Sequence, residues 1–193
     1  MATRRHQPRR KKDDWLRAAL EVFESEGIEG VRVERLARKL NVAKSGFYWH
    51  FRDRVQLYDD LLELWEREST QVVTSSAEIV SLPPADRLSR TAYLIWEHDL
   101  ARFDLPFRAW AQRDPRVLAR VDRVHDQRLS WIRQMFREIG FKGEDLEMRT
   151  RLFVGYHAWE RTALPRQSKS QAKRMIKRRI ALLVHPCEPV GCE

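Results

Sequence analysis

Within the stretch RVERLARKLNVAKSGFYWHF (32–51), the side chains of Lys44, Ser45, Tyr48, Trp49 and His50 crowd donors and aromatic rings onto one short segment. Lys44 can donate to guanine acceptors and Ser45 can donate or accept. The rings of Tyr48 and Trp49 bring area that packs against sugar and backbone. Gly46 between them lets a backbone approach closely. This chemistry suits nucleic acid. Catalysis has no comparable constellation. His98, His125, His157 and His185 are dispersed, and the pairs His98-Asp99 and His125-Asp126 are sequence neighbours that do not face each other on a helix. No Ser or Cys nucleophile motif, phosphate-cradling Gly loop or metal-ligand cluster stands out. No catalytic residue, metal or cofactor is expected, and an enzyme is disfavoured.

The elements that must position the cluster can be read from the same stretch. Val33, Leu36, Ala37 and Leu40 fall at i, i+3, i+4 and i+7, one face of a short helix. Asn41 follows, a residue that tolerates the left-handed backbone of a tight turn. A second short helix runs from about Lys44 to His50, with Phe47 and Phe51 facing inward. Two short helices joined by a tight turn make a helix-turn-helix, whose second helix can lie in the DNA major groove.

Charge agrees. The 193 residues carry a formal net charge of +9. Met1 to Arg54 holds 14 Lys+Arg against 8 Asp+Glu, a net of +6, so most of the excess lies over the reading segment. A polyanionic partner is expected. Between Arg161 and Cys187 there is no acidic residue. The start, MATRRHQPRRKK, has no apolar run, and no segment approaches a membrane span, so a cytoplasmic protein without a membrane partner is expected. Cys187 and Cys192, in a Pro/Gly-bearing tail, are expected to be free thiols.

The hydrophobic fraction of 42%, scarce Gly and absent alternating patterns predict an all-α chain. A basic arm (1–12) precedes a three-helix head (13–53), a larger helical body (54–185) and a tail (186–193). Helices are predicted over 13–26, 52–75, 84–103, 105–113, 115–139, 144–162 and 168–184. Val55, Tyr58, Leu61, Leu62 and Trp65 give the face of the second of these. Asp114-Pro115 is a helix start, a capping Asp with Pro at the first position.

The segment Gly-Phe-Tyr-Trp-His-Phe (46–51), followed by Asp53-Arg54 and preceded by the Leu36-Ala37 pair and the Gly27 stop, resembles the tetracycline-repressor (TetR) family of bacterial transcriptional regulators over about residues 12–62. Three positions depart from the family. Asn41 replaces its turn Gly. Ala43 replaces a Ser or Thr, losing an N-cap oxygen of roughly 1 kcal/mol. Arg32 replaces a capping Thr and becomes a candidate phosphate contact. The resemblance implies a homodimer on a near-palindromic double-stranded operator. It implies base contacts from Lys44, Ser45 and Gly46, and phosphate or backbone contacts from Tyr48, Trp49, His50 and Arg54. It also implies a body with two tasks. One is to enclose a small-molecule effector, with Trp96, His98, Phe103, Phe107, Trp110, Trp131, Tyr156 and Trp159 as candidate lining and His157 as a second candidate for orienting it. The other is to pair with its two-fold mate through Leu129, Ile132, Phe136, Phe153, Gly155 and Ala158. The function so implied is a repressor relieved by an apolar or aromatic effector. A regulator controlled by a protein partner, an activator, and a ligand-binding or enzymatic helical protein with a basic nucleic-acid tether are the rivals.

Overall fold

The structure is a computed structural model that describes residues 10–165 and 167–186. Most of the arm, and the tail with Cys187 and Cys192, lie outside the described residues. Among the described residues every regular element is helical. They divide into two compact units: the chain up to Trp65 with Pro106–Leu118, and Glu66–Leu105 with the chain from Ala119 onward. The first unit is thus larger than the 13–53 head expected from the sequence.

In the first unit α1 is Lys12–Glu26, α2 Val33–Leu40, α3 Ser45–Tyr48 and α4 Arg54–Glu66. The Asp14 carboxylate accepts the Lys11 N–H at 2.8 Å, and Asp13 and Asp14 sit at the positive end of the α1 dipole. Gly27 ends α1 at φ 72°, ψ −174°, a conformation that a Cβ makes costly. Asn41 takes φ 54°, ψ 49° after α2, the left-handed turn its type allows. Phe47 and Phe51 stack at 4.8 Å and Trp15 meets Phe47 edge-on at 5.6 Å, so α3 is pinned by aromatic rings rather than by its own length. The inner face of α4 differs from the expected one. Leu57, Leu61, Leu62, Leu64 and Trp65 are buried, whereas Val55 is 48% exposed. Val55 lies in the first turn of α4, where its side chain faces solvent.

A second aromatic group completes this unit. Phe107 and Trp110 lie on α8 (Asp104–Ala111). Phe107 stacks on Trp65 at 4.5 Å and meets Phe23 at 4.7 Å, and Trp110 meets Tyr58 at 5.4 Å. Both were candidates for the effector lining. Instead their rings fill the core of the first unit.

In the second unit the helix that continues α4 loosens into a π-helical turn, Arg67–Gln71, before α5 (Val72–Thr74) and α6 (Ala77–Val80). Such turns are rare and appear mostly as single-turn interruptions of an α-helix. Arg128 braces this one, donating to Thr70 Oγ1 at 3.0 Å and Ser69 Oγ at 2.9 Å while holding Asp104 through two nitrogens at 2.7 and 3.1 Å. The core draws on α7 (Pro84–Glu97), α9 (Pro115–Ile139), α10 (Gly143–Ala163) and α11 (Lys169–Val184). Leu88, Ala92, Ile132, Met135, Phe136, Leu146, Phe153, Val154, Ile176 and Ile180 form one buried cluster. Burying one such side chain fully is worth about 1.5–3 kcal/mol. The helix predicted over 84–103 stops at Glu97, because the chain turns at Asp99 with φ 51°. The Ser168 hydroxyl accepts the Gln171 N–H at 3.4 Å and opens α11.

Three residues assigned to a dimer interface are part of this core. Ile132, Phe136 and Phe153 are 3%, 0% and 1% exposed, and Leu129 packs half-buried against the same cluster. The apolar stripe of α9 is used up inside the subunit, because α7, α10 and α11 surround it with apolar partners. Gly155 is exposed with open space above it, and Ala158 is half-buried.

Candidate nucleic-acid interface

Phe47 anchors α3 from below, and the residues around it point outward. Tyr48 and Trp49 are 63% and 71% exposed. Lys44 and Ser45 are exposed at the start of the helix, and Arg32 and Arg54 are exposed at the starts of α2 and α4. The Arg54 guanidinium stands 5.5 Å from the centre of the Tyr58 ring, which holds it near the surface. Arg32 donates from Nε to the Glu29 carbonyl at 3.1 Å. Gly46 is half-buried, and a Cβ there would meet only Trp15 at 3.5 Å, an ordinary contact, so the inner side does not require glycine.

Two contacts were not anticipated from the sequence. Lys44 Nζ donates to Glu34 Oε1 at 2.8 Å, so the lysine expected to face bases is already paired with a carboxylate of α2. Lys44 holds the Glu34 carboxyl below the usual carboxylate range, chiefly through that hydrogen bond. The second contact is 2.8 Å between His50 Nε2 and the Arg10 carbonyl. A carbonyl can only accept, so Nε2 carries the hydrogen. His50 therefore fastens the chain entering α1 beside the end of α3, rather than presenting Nε2 outward. The cue to Glu34 was its place in the first turn of α2. No sequence signal joins residues 10 and 50.

The Lys44–Glu34 pair has a measurable consequence. Glu34→Gln removes a negative charge beside Lys44 and frees the ammonium. Duplex DNA should bind about two- to fivefold tighter in a fluorescence titration, the modest gain expected when an exposed ion pair is opened. Unchanged or weaker binding would place this pair away from the DNA.

The second unit holds a cavity of about 280 Å³. Ile95, Trp96, Asp99 and Ala101 form one wall, and His157, Glu160, Arg161, Leu164, Pro165 and Gln167 the other. Of the eight residues expected to line an effector site, only Trp96 does so. Tyr156 stands one bond behind, its hydroxyl donating to Glu160 Oε1 at 3.1 Å. His98 is exposed, because the helix has ended before it. Phe103 lies under the Arg102 guanidinium at 5.1 Å, and Trp131 packs against the buried cluster. Trp159 is 56% exposed. His157 is the polar residue at the cavity that the sequence had offered as a second candidate. The i, i+3, i+4 spacing of His157, Glu160 and Arg161 was the available signal for the remainder of that wall.

Among the described residues no cluster of three or more His, Cys, Asp or Glu could hold a metal ion, and no helix is long and apolar enough to cross a membrane.

The family described as bacterial regulatory proteins, tetR family, matches residues 16–61, the span from α1 into α4. These residues belong to the tetR family. The tetracycline repressor protein class A from transposon 1721 of Escherichia coli is 40% identical over 48 residues, 25% of this chain and 22% of that protein. The chain therefore aligns with about a fifth of that relative's length. Solved structures extend the likeness to the fold of the whole chain. A TetR family transcriptional regulator, PfmR, from Thermus thermophilus shares 16% identity at a TM-score of 0.68, over 88% of this chain and 96% of its own. AibR, solved in complex with isovaleryl coenzyme A and operator DNA, shares 14% identity at a TM-score of 0.69, over 91% and 99%. The tetR-family architecture, an N-terminal helix-turn-helix followed by a helical body, is thus the fold of this chain.

Proposed function

We propose that the protein is a homodimeric, sequence-specific DNA-binding regulator of the bacterial cytoplasm, a repressor that a small apolar or aromatic molecule releases from its operator. The observation that carries the reading is the outward face of α3. Two large aromatic side chains and a lysine stand in solvent on a helix whose inner face is pinned by buried rings. A surface of this kind matches the major groove and its flanking backbone. Lys44 and Ser45 take the base edges. Tyr48, Trp49, Arg32 and Arg54 take phosphate and sugar. His50 positions the chain that leads from the basic arm into α1.

Pairing is assigned to a face of α10 that keeps Gly155 of the expected interface and leaves out its buried members. Met148 and Leu152 on α10 are 60% and 53% exposed, and Gly155 and Trp159 continue the same stripe at helical spacing. Exposed apolar residues in such a row ask for a partner, and a second copy supplies the same row across a two-fold axis. The effector is assigned to the cavity beside Trp96 and His157. The solved complex of AibR with an acyl coenzyme A and operator DNA supports an effector-linked body in this fold.

The test is binding to an operator duplex across a range of salt. A dimer neutralising about ten phosphates gives a log–log slope near −9. Arg54→Ala weakens every duplex about equally and reduces the slope by about 1, whereas Lys44→Ala relaxes sequence preference. A flat salt response would remove the reading.

A further inference from the structure

The polar groups around the cavity of the second unit are arranged for a particular ligand chemistry. His157 is 5% exposed and lines the cavity. Arg179 Nη2 stands 3.1 Å from His157 Nε2. A guanidinium can only donate, so Nε2 accepts and the neutral ring carries its proton on Nδ1. Burial, with Arg179 adding to it, pushes this imidazole well below its ordinary pKa, so the neutral form is the one present at pH 7. The carboxylate oxygen nearest Nδ1 is Glu160 Oε2 at 3.7 Å, beyond hydrogen-bond reach. Glu160 also lines the cavity, and its other oxygen is engaged by Tyr156. A donor and an acceptor thus stand side by side at the cavity wall.

The charges there are offset. Arg161 Nε donates to Asp99 Oδ1 at 2.7 Å, and Arg179 Nη1 lies 3.7 Å from Glu160 Oε2 while its guanidinium covers the Tyr156 ring at 3.8 Å. A charged ligand would find no excess of the opposite sign and would lose its hydration. A neutral group that both accepts and donates fits, and a hydroxyl is the smallest that does. The remaining wall is the indole of Trp96 with Ile95, Ala101, Leu164 and Pro165, together with the uncharged Gln167. The volume is near the lower end of the range for ligand sites, about 300–1,000 Å³.

We propose that this cavity takes a small neutral phenol, its ring against Trp96 and its hydroxyl accepting from His157 Nδ1 and donating to Glu160. The site is the one assigned above to the effector, so its regulatory meaning rests on that reading, while the binding chemistry stands by itself.

The experiment titrates the full-length protein calorimetrically with 4-ethylphenol, ethylbenzene, benzoate and benzylamine. The phenol should bind at least about tenfold more tightly than each of the others, about 1.4 kcal/mol. Glu160→Gln, which replaces the charged acceptor by a weaker amide oxygen, should reduce its advantage over ethylbenzene, and Ala101→Trp, which fills the cavity, should abolish binding. Equal affinities, tighter binding of either charged compound, no heat from the phenol, or undiminished binding by Ala101→Trp would each overturn the assignment. Operator release is then measured with the same four compounds. Phenol binding without release keeps this inference and removes the effector reading. Release by a charged or hydroxyl-free compound, with no phenol binding, does the reverse.

Discussion

Leu152→Glu should turn the protein into a monomer and weaken operator binding about 10²- to 10⁴-fold, while each subunit stays folded. The side chain is 53% exposed on α10, so the substitution creates no cavity and buries no charge within the subunit. In a dimer it sets a carboxylate inside an apolar row and, because a two-fold interface repeats each contact, it does so on both sides of the axis. Two linked heads bind one operator with an avidity that exceeds a single head by about 10²–10⁴, and that factor is lost when they separate. Sedimentation checks the mass, circular dichroism the helix content, and titration of an operator duplex the affinity. A variant that remains dimeric and binds normally would remove α10 from the interface. By contrast, Phe153→Ala at a position 1% exposed should lower stability and leave the dimer to whatever folded protein remains.

Phe47→Ala carries the largest expected effect on the head. The ring is 0% exposed and touches three others: Trp15 at 5.6 Å, Tyr48 at 5.3 Å and Phe51 at 4.8 Å. Truncating a buried Phe costs about 3–5 kcal/mol, and a helix of four residues has almost no stability of its own to offset that loss. Thermal unfolding should show the loss, with limited proteolysis cutting first around α3, and operator binding should fall with it. If the variant keeps wild-type stability and affinity, the aromatic cluster is not what holds α3 in place. Tyr48→Ala serves as the comparison. Its side chain is 63% exposed, so stability should change little while DNA binding weakens.

The head was legible in the sequence because its signals are local. The i, i+3, i+4, i+7 stripe of Val33 to Leu40, a turn at Asn41 and a Phe four residues before another Phe leave few ways to fold. The structure puts Asn41 at positive φ and both rings inside, as those patterns require. The body was harder, because an apolar stripe says only that a face is buried, not against what. Ile132, Phe136 and Phe153 have the spacing of an interface and are core. Met148 and Leu152, on the other face of α10, are the residues left over for a partner. Phe107 and Trp110 look like ligand-lining aromatics in one dimension and are claimed by Phe23 and Trp65, far away in sequence. The pairs Lys44–Glu34 and His50–Arg10 lie ten and 40 residues apart, beyond any periodicity argument. The cavity shares this difficulty, because its walls come from the ends of two helices separated by about half the body.

The most direct test of operator recognition by α3 is selection of bound duplexes from a random pool by the full-length protein, followed by sequencing of what is retained. A near-palindromic motif should emerge, with half-sites about one helical turn, roughly 34–36 Å, apart. The same selection with Lys44→Ala should return a degenerate motif at the inner positions. Retention without any motif would contradict the account and leave the basic head as a sequence-blind tether.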